Sequence, residues 1–428
     1  MWLLNVVGLE LKEFIGVIPR YAILSHTWNQ EEVSFKEIRK SRPDTHEKPG
    51  HIKLELCCLQ ARKDGLEWAW IDSCCIDRRS SAELSEAINS MFKWYERADI
   101  CYAYLDDIPP QNEAVHQATL ARSRWFTRGW TLQELLAPSK IRFYAKDWSF
   151  LGMKSSEDIN LSYKISSITG ISVQILLDKS ALRHASVAMR MSWAANRETT
   201  REEDRAYSLM GIFDVKMPII YGEGLQSAFE RLQGEIIKKT SDQSIFAWKS
   251  NKELSFHPLQ GHGLLAPSPS YFENCAFTVN GLNPRLRPFA ITNIGVQITL
   301  RLTPYHHNIP GTNDKRGDIW VATLRCWSLP NEIGIKRRLQ LFLRERRIIT
   351  GSGFRVFQRI LPHLLQPESS DPTNFSKLVE VSVPSPDQIG HLEIIGTVYT
   401  EERALEPFVG GYRVLVQDTS NDEIQVYI

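Results

Sequence analysis

Four short apolar runs, each ending in a polar corner, alternate with amphipathic helical stretches over the first 150 residues, and that rhythm constrains the fold more than any other feature of the chain. Residues 21–28 read Tyr-Ala-Ile-Leu-Ser-His-Thr-Trp, 68–72 read Trp-Ala-Trp-Ile-Asp, 100–105 read Ile-Cys-Tyr-Ala-Tyr-Leu and 141–144 read Ile-Arg-Phe-Tyr. Between the first two, apolar positions at Ile52, Leu54, Leu56, Cys58 and Leu59 predict a helix over 51–64. Between the next two, Leu84, Ala87, Ile88, Met91, Phe92 and Tyr95 fall three and four apart. They predict a helix from Ala82 to Ala98, entered through the capping box Ser80-x-x-Glu83. Strands and helices alternating in this way predict a parallel sheet with helices on both faces. Ligands of such sheets bind beyond the carboxyl ends of the strands, which is where Ser25, His26, Asp72, Asp77 and Asp106 fall.

The stretch Ser123–Leu136 starts near that same edge. Ser123 or Thr127 can cap a short helix, Leu132, Leu135 and Leu136 give it an apolar stripe, and Pro138 stops it. Trp130 and Glu134 are four apart and share a face, with Arg124, Trp125 and Arg128 close in sequence. A carboxylate beside an aromatic plane, rimmed by guanidinium groups, suits a ligand with a flat cationic ring and phosphates. It equally suits a salt-bridged helix with its Trp side chains in the core, Glu134 pairing with Arg128 or Lys140 on the surface. Cleaving a glycosidic C–N bond with a cationic leaving group needs a carboxylate that stabilises oxocarbenium character and holds ribose hydroxyls. An aromatic plane beside it can hold the pyridinium ring.

Further along, 155–200 reads as helical and amphipathic, and the dense charges from Arg197 to Arg205 read as a solvated or ion-paired face. Leu225 to Lys239 predicts another helix. Beyond residue 255 the pattern changes to alternation over 289–300, 319–327, 339–343, 377–383, 392–399, 412–417 and 423–428. That predicts an antiparallel all-β domain, sandwich or barrel.

Several function classes are disfavoured. Lys+Arg is 51 against Asp+Glu 50, so there is no electrostatic case for nucleic acid or a membrane surface. The seven cysteines are odd in number and mostly in apolar contexts, which fits buried thiols in a reducing compartment. Cys57-Cys58 and Cys74-Cys75 are adjacent pairs and make a poor metal cage, so no metal is expected. A Cys74 or Cys75 nucleophile with His26 lacks an evident oxyanion hole. His306-His307 reads as a solvated pair. Neither Gly-x-Ser-x-Gly nor a nucleotide P-loop occurs. The first ten residues lack the basic start of a signal peptide, and no window approaches the ~18 apolar residues of a membrane span. The expectation is a cytoplasmic protein without a membrane span.

Five blocks, Tyr21–Trp28, Trp70–Asp77, Ser81–Phe92, Cys101–Leu105 and Arg128–Leu135, resemble in order and spacing the fungal heterokaryon-incompatibility (HET) domain across about residues 1–150. The stretches Glu203–Phe213, Tyr221–Gly224 and Asp242–Trp248 resemble the segment that often follows it. The resemblance implies a role in non-self recognition and regulated cell death when genetically different hyphae fuse. HET domains are in turn similar to TIR domains, which have a flavodoxin-like parallel sheet and many of which cleave NAD+. Their catalytic Glu lies on the helix after the third strand, often as Trp-x-x-x-Glu, and Trp130-Thr-Leu-Gln-Glu134 matches that pattern. Glu134 is therefore the expected catalytic residue. Ser25 and His26 match the edge where TIR substrates lie, and Asp72, Trp125, Arg128 and Trp130 complete the expected substrate-binding set. The Pro109–Ala121 insertion and the Arg78-Arg79 loop depart from TIR domains at the pocket.

The expected architecture is an α/β, TIR-like HET domain over 1–150, a helical extension over 151–250 and an antiparallel β-rich domain over 251–428. The expected function is a HET-domain effector with NAD+ as substrate and no cofactor. The alternative is a non-catalytic TIR-like module that assembles with a receptor, an allelic partner or copies of itself.

Overall fold

The computed structural model of the chain describes residues 1–29, 31–40, 48–110, 115–155, 159–250, 263–280, 289–292, 295–305, 319–328, 337–346, 356–360, 366–367, 377–383 and 396–398. They fall into two compact units. The first comprises Met1–His184 and Trp193–Leu232, the second Ala185–Ser192 and Gln233–Ile428. The stretch 151–250 is thus shared between them.

The first unit is built on a mixed seven-stranded sheet. Its strands are β1 (Trp2–Asn5), β2 (Leu11–Glu13), β3 (Ala22–His26), β4 (Trp68–Trp70), β5 (Ile100–Tyr104), β6 (Ile141–Tyr144) and β7 (Phe150–Met153), in the order β2-β1-β4-β3-β5-β6-β7. The inner four are parallel, with Ala22 opposite both Ala69 and Ile100, and Cys101 opposite Ile141. Strands β1, β2 and β7 add antiparallel edges. Every residue of β3 and β5 is buried, as strands covered on both faces must be.

The three apolar-to-polar runs that carry β3, β4 and β5 lie where their hydrophobicity predicts, and so does β6. The edge strands do not announce themselves. Residues 1–10 read only as a brief apolar start, yet Leu3 and Leu4 are fully buried in β1, which pairs with β4. Two and three inward side chains are too few to make a periodicity.

The helices are α1 (Phe35–Arg39), α2 (Pro49–Lys63), α3 (Ser81–Arg97), α4 (Gln117–Ala121), α5 (Thr131–Leu136), α6 (Ser162–Thr169), α7 (Val173–Leu177), α8 (Val187–Ser192), α9 (Asp204–Tyr207) and α10 (Gly224–Ile237). The Ser80 hydroxyl accepts the Glu83 N–H at 3.3 Å and caps α3. Gly170 ends α6 at φ +70°, the left-handed conformation glycine adopts at little cost. From β3 the chain crosses to β4, then returns past β3 to β5 and β6. Right-handed crossovers put α2 on one face and α3 with α5 on the other, and α3 and α5 do pack together. The order reverses at β3 and β5, and in sheets of this kind ligands bind outside the carboxyl strand ends at such a point.

The second unit is an antiparallel sheet of β8 (Thr278–Asn280), β9 (Ala290–Thr292), β10 (Gly295–Pro304), β11 (Ile319–Ser328), β12 (Arg337–Arg346), β13 (Val356–Ile360), β14 (Gln366–Pro367), β15 (Lys377–Val383) and β16 (Gly396–Val398). The backbone order is β13-β12-β11-β10-β15-β16, with β14 beside β12, β8 beside β11 and β9 beside β10. Val296, Ile298, Leu300 and Leu302 are the buried alternate positions of β10. The run over 289–300 is a hairpin, Thr292 facing Gly295, where the alternation alone suggests one strand. The strands expected at 412–417 and 423–428 lie outside the described residues. Among the described residues no helix is long and apolar enough to cross a membrane.

Gly211 ties the segment after α9 to α3. A Cβ there would lie 2.2 Å from Phe92 Cβ and 2.6 Å from its Cγ, atoms too near the backbone to swing aside. Gly211→Ala is expected to destabilise the protein by roughly 1–3 kcal/mol, read as a lower urea midpoint with an unchanged slope. An unchanged midpoint would mean the two segments are not packed this way.

Candidate functional site

Three consecutive residues at the carboxyl end of the central strand each bind a carboxyl group from a different element. Ser25 Oγ donates to Glu134 Oε2 at 2.5 Å. His26 Nε2 lies 2.8 Å from Asp72 Oδ1, and Thr27 Oγ1 donates to Asp106 Oδ1 at 3.1 Å. Asp72 follows β4, Asp106 follows β5 and Glu134 sits on α5. Because β3 runs between β4 and β5, its end is within reach of both flanking strand ends and of the helix above them.

Glu134 is 7 % exposed and Ser25 is fully buried. The Trp125 indole N–H donates to Ser25 Oγ at 2.8 Å, so Ser25 relays an aromatic donor to the carboxyl group. Tyr95, on α3, donates its hydroxyl to Leu24 O at 2.9 Å and also hydrogen-bonds Glu134. Burial pushes the Glu134 pKa up to about 8, and the Asp72 charge adds to this. The Ser25 and Tyr95 hydrogen bonds and the Arg197 charge pull the other way. At neutral pH the group is therefore mostly a neutral acid.

Asp72 is in the opposite state. Burial works against its ionisation, but the His26 hydrogen bond and charge, the Arg78 charge and the Trp28 indole outweigh it and hold its pKa at about 2. The Trp28 N–H reaches Asp72 Oδ2 at 2.7 Å. Two carboxyl groups driven apart in this way are the usual setting for divided acid and base roles. The Arg124 guanidinium lies 3.0 Å from Asp106 Oδ2 and closes that side of the strand end.

Helix α5 is short and is held at both ends by buried cations. At its start, Arg197 Nη1 donates to Arg128 O at 2.9 Å and Thr131 Oγ1 at 3.0 Å, and Nε to Trp193 O at 3.1 Å. At its end, Lys154 Nζ donates to Leu135 O at 3.2 Å and Pro138 O at 2.5 Å, which satisfies carbonyls the helix leaves open. Burial lowers the Arg197 pKa to about 9 and the Lys154 pKa to about 8.

The reading of 197–205 as a solvated or ion-paired face holds for the exposed Glu198, Arg201 and Glu202 and fails for two of its charges. Arg197 and Glu203 are buried, Glu203 Oε1 accepts the Gly222 and Gly224 N–H groups at 2.7 and 3.2 Å, and Arg205 Nη2 donates to Ala195 O at 3.2 Å. Arg197, Glu203 and Arg205 thus reach backbone partners. The apolar Trp193-Ala194-Ala195 just before Arg197 is the signal that this segment goes inward.

The sequence-derived residues separate into two groups. Ser25, Trp125 and Glu134 form one hydrogen-bonded chain, and His26 with Asp72 lies beside it through the next residue of β3. Trp130 and Arg128 do not join it. Trp130 is half-buried at the start of α5 and hydrogen-bonds Asp204, whose pKa is raised by burial despite that bond. Arg128 donates to Thr200 Oγ1 at 2.9 Å. Nor is Glu134 paired with Arg128 or Lys140 on the surface. Tyr95, Lys154 and Arg197 are the members that sequence reasoning missed. Tyr95 reads there as one more apolar position of α3, although its hydroxyl is the polar handle that a buried Tyr has to satisfy. The seven cysteines are buried and unpaired. The neighbouring Cys75 thiol and burial raise the Cys74 pKa well above its usual value, so it packs as a neutral thiol. Among the described residues no three His, Cys, Asp or Glu side chains are grouped to hold a metal.

Glu134 makes stability depend on pH. Its pKa is about 8 folded and about 4.3 unfolded, so between these values the folded chain holds the extra proton. The stability it contributes is complete below about pH 4 and is lost as pH rises through 8. Glu134→Gln keeps the shape without the titration. Wild type is expected to lose a few kcal/mol relative to Glu134→Gln between pH 5 and pH 8.5, measured by chemical denaturation. A difference independent of pH would refute the raised pKa.

Residues 21–119 match the family described as heterokaryon incompatibility protein (HET), and residues 227–275 match a domain of unknown function (DUF8212). The chain is 46 % identical over 230 residues to vegetative incompatibility protein HET-E-1 of Podospora anserina. That alignment covers 52 % of this chain and 16 % of the Podospora protein, so the chain corresponds to a small part of that relative. No solved structure matches. The matched blocks include β3, β4, α3 and β5, so the likeness to the heterokaryon-incompatibility (HET) family spans the strand ends that carry Ser25, His26 and Asp72.

Proposed function

We propose that the chain is an effector of fungal heterokaryon incompatibility and of the regulated cell death that follows, acting in the cytoplasm, and that its HET domain cleaves NAD+ at Glu134. The first half is supported by the family match and by the likeness to a vegetative incompatibility protein. A TIR-like, flavodoxin-like reading is supported by the inner strands. Numbered by their order in the chain, β3, β4, β5 and β6 lie side by side as 2-1-3-4.

One observation carries the enzymatic half. The carboxyl group of Glu134 is anchored by Ser25 at the place where the strand order reverses, with Trp125 behind it. In the reaction the C1′–N bond breaks and its electron pair passes to the nicotinamide nitrogen, discharging the ring. Water adds to C1′ and loses a proton to the Glu134 carboxylate, giving ADP-ribose, nicotinamide and a proton. The carboxylate stabilises the oxocarbenium character before water arrives. Only the ionised form can do this, and with a pKa of about 8 roughly a tenth of the molecules hold it at pH 7.

A second reading is favoured by the same burial. A carboxyl group enclosed by Ser25, Tyr95 and Trp125 also suits a rigid, non-catalytic module that assembles with copies of itself or with an incompatibility receptor.

NAD+ consumption by the full chain, fused to an oligomerising tag, decides between them. Wild type is expected to turn over NAD+ with a rate that rises with pH and levels off above about 8. Glu134→Ala should lose at least a hundredfold. Ser25→Ala removes a bond that favours the ionised form and should move the plateau to higher pH. Equal consumption by wild type and Glu134→Ala would remove Glu134 from the reaction, and none by the assembled wild type would leave the module reading.

A further inference from the structure

Within the first unit, two exposed arginines lie over two aromatic rings with their N–H edges uncommitted. The Arg78 guanidinium carbon is 3.9 Å from the Trp28 ring centroid, and that of Arg201 is 4.0 Å from the Tyr221 ring centroid. Trp28 is 39 % exposed and the Arg78 side chain 48 %. Arg78 Nη2 stands 3.6 Å from Asp72 Oδ2, within ion-pair reach but too far for a hydrogen bond, while the two Asp72 oxygens lie 2.8 and 2.7 Å from His26 Nε2 and Trp28 Nε1. Among the described residues neither guanidinium donates a hydrogen bond to a protein acceptor. Both act electrostatically on Tyr221 and Asp204, so they converge on one place. Tyr221 itself is fixed, donating its hydroxyl to Asp204 Oδ1 at 3.0 Å.

Stacking removes most of the rotational freedom of an arginine and leaves its planar fork pointing outward, ready for a bidentate oxyanion. Two such forks acting on the same Tyr221 and Asp204 suit two linked phosphates. The partly exposed Trp28 ring beside them suits a flat heterocycle. His26 Nδ1 is buried and has no hydrogen-bond partner among the described residues, an open polar position on the residue that joins Asp72 to β3.

We propose that Trp28, Arg78, Arg201 and Tyr221 form a binding site for a nucleoside diphosphate group, the arginines taking the two phosphates and the rings the base. This rests on the NAD+ reading in one respect only. If NAD+ is the substrate, the site holds its ADP half, and the contacts Arg78–Asp72–His26 lead from there to Ser25 and Glu134. The ligand could equally arrive as a free nucleoside diphosphate, and the experiment separates the two sources.

The test is isothermal titration of the full chain with ADP, adenosine and inorganic pyrophosphate. ADP is expected to bind more tightly than either fragment. Arg78→Gln and Arg201→Gln should each weaken ADP at least tenfold, and Trp28→Leu should weaken ADP while leaving pyrophosphate unchanged. Glu134→Gln should bind ADP within twofold of wild type. No ADP binding by wild type, binding indifferent to both arginine variants, or pyrophosphate binding as tight as ADP would overturn the assignment. If wild type binds ADP as described but consumes no NAD+, the site stands for free nucleoside diphosphates and the catalytic reading of Glu134 falls. If NAD+ is consumed and Arg78→Gln with Arg201→Gln leaves KM unchanged, Glu134 stands and this site falls. A raised KM with kcat retained identifies the ADP half of NAD+ as the occupant.

Discussion

Moving an ionised carboxylate out of water without a cation beside it costs several kcal/mol, and the first unit is arranged around one such group. Glu134 is neutral instead, and its neighbours are consistent with that. Ser25 is an uncharged donor, Tyr95 gives its own proton to Leu24 O, and the cation that acts on Glu134, Arg197, spends its N–H groups on Arg128 O, Thr131 Oγ1 and Trp193 O. A six-residue helix has too few internal hydrogen bonds to hold a side chain in place by itself. Arg197 at one end and Lys154 at the other supply the missing restraint. Both are themselves buried charges without a carboxylate partner, tolerated because backbone carbonyls receive their protons. The position of one carboxyl group thus depends on residues about twenty and sixty positions downstream, beyond the HET match.

That dependence explains what could be read from the chain. Strands β3 and β5 were legible because burial on both faces demands a nearly continuous apolar run, and α3 because its stripe and its Ser80 cap agree. The strand-end residues Ser25, His26, Asp72 and Asp106 followed from the alternation and from where crevices form in such sheets. Glu134 followed from spacing and resemblance. The partners of these groups did not follow. Trp130 and Trp125 are equivalent to any rule based on helix periodicity, yet Ser123–Thr127 is a tight turn that sends Trp125 inward to Ser25, while Trp130 stands just before α5 and hydrogen-bonds Asp204. Charged residues in sequence carry no mark of whether they will meet water or a carbonyl, which is why Arg197 and Glu203 read as surface. Those contacts span more than sixty and nearly twenty residues respectively, and only the folded chain brings them together.

The neutral state of Glu134 also bears on how a site of this kind would operate. Asp72 lies close enough to raise its pKa, so the pocket as it stands opposes a second negative charge. A ligand carrying a positive ring reverses the sign of that local field and lowers the pKa of the carboxyl group it approaches. Binding and deprotonation are then linked and reciprocal: the cation favours the carboxylate, and the carboxylate holds the cation. When the glycosidic bond breaks the ring becomes neutral, the field reverts, and the carboxyl group again prefers the proton that the attacking water releases. An acid held neutral by burial, with a fixed Asp72 charge beside it, would on this reading be drawn into its active form by the cationic substrate itself, and the proton balance of hydrolysis would return it to rest.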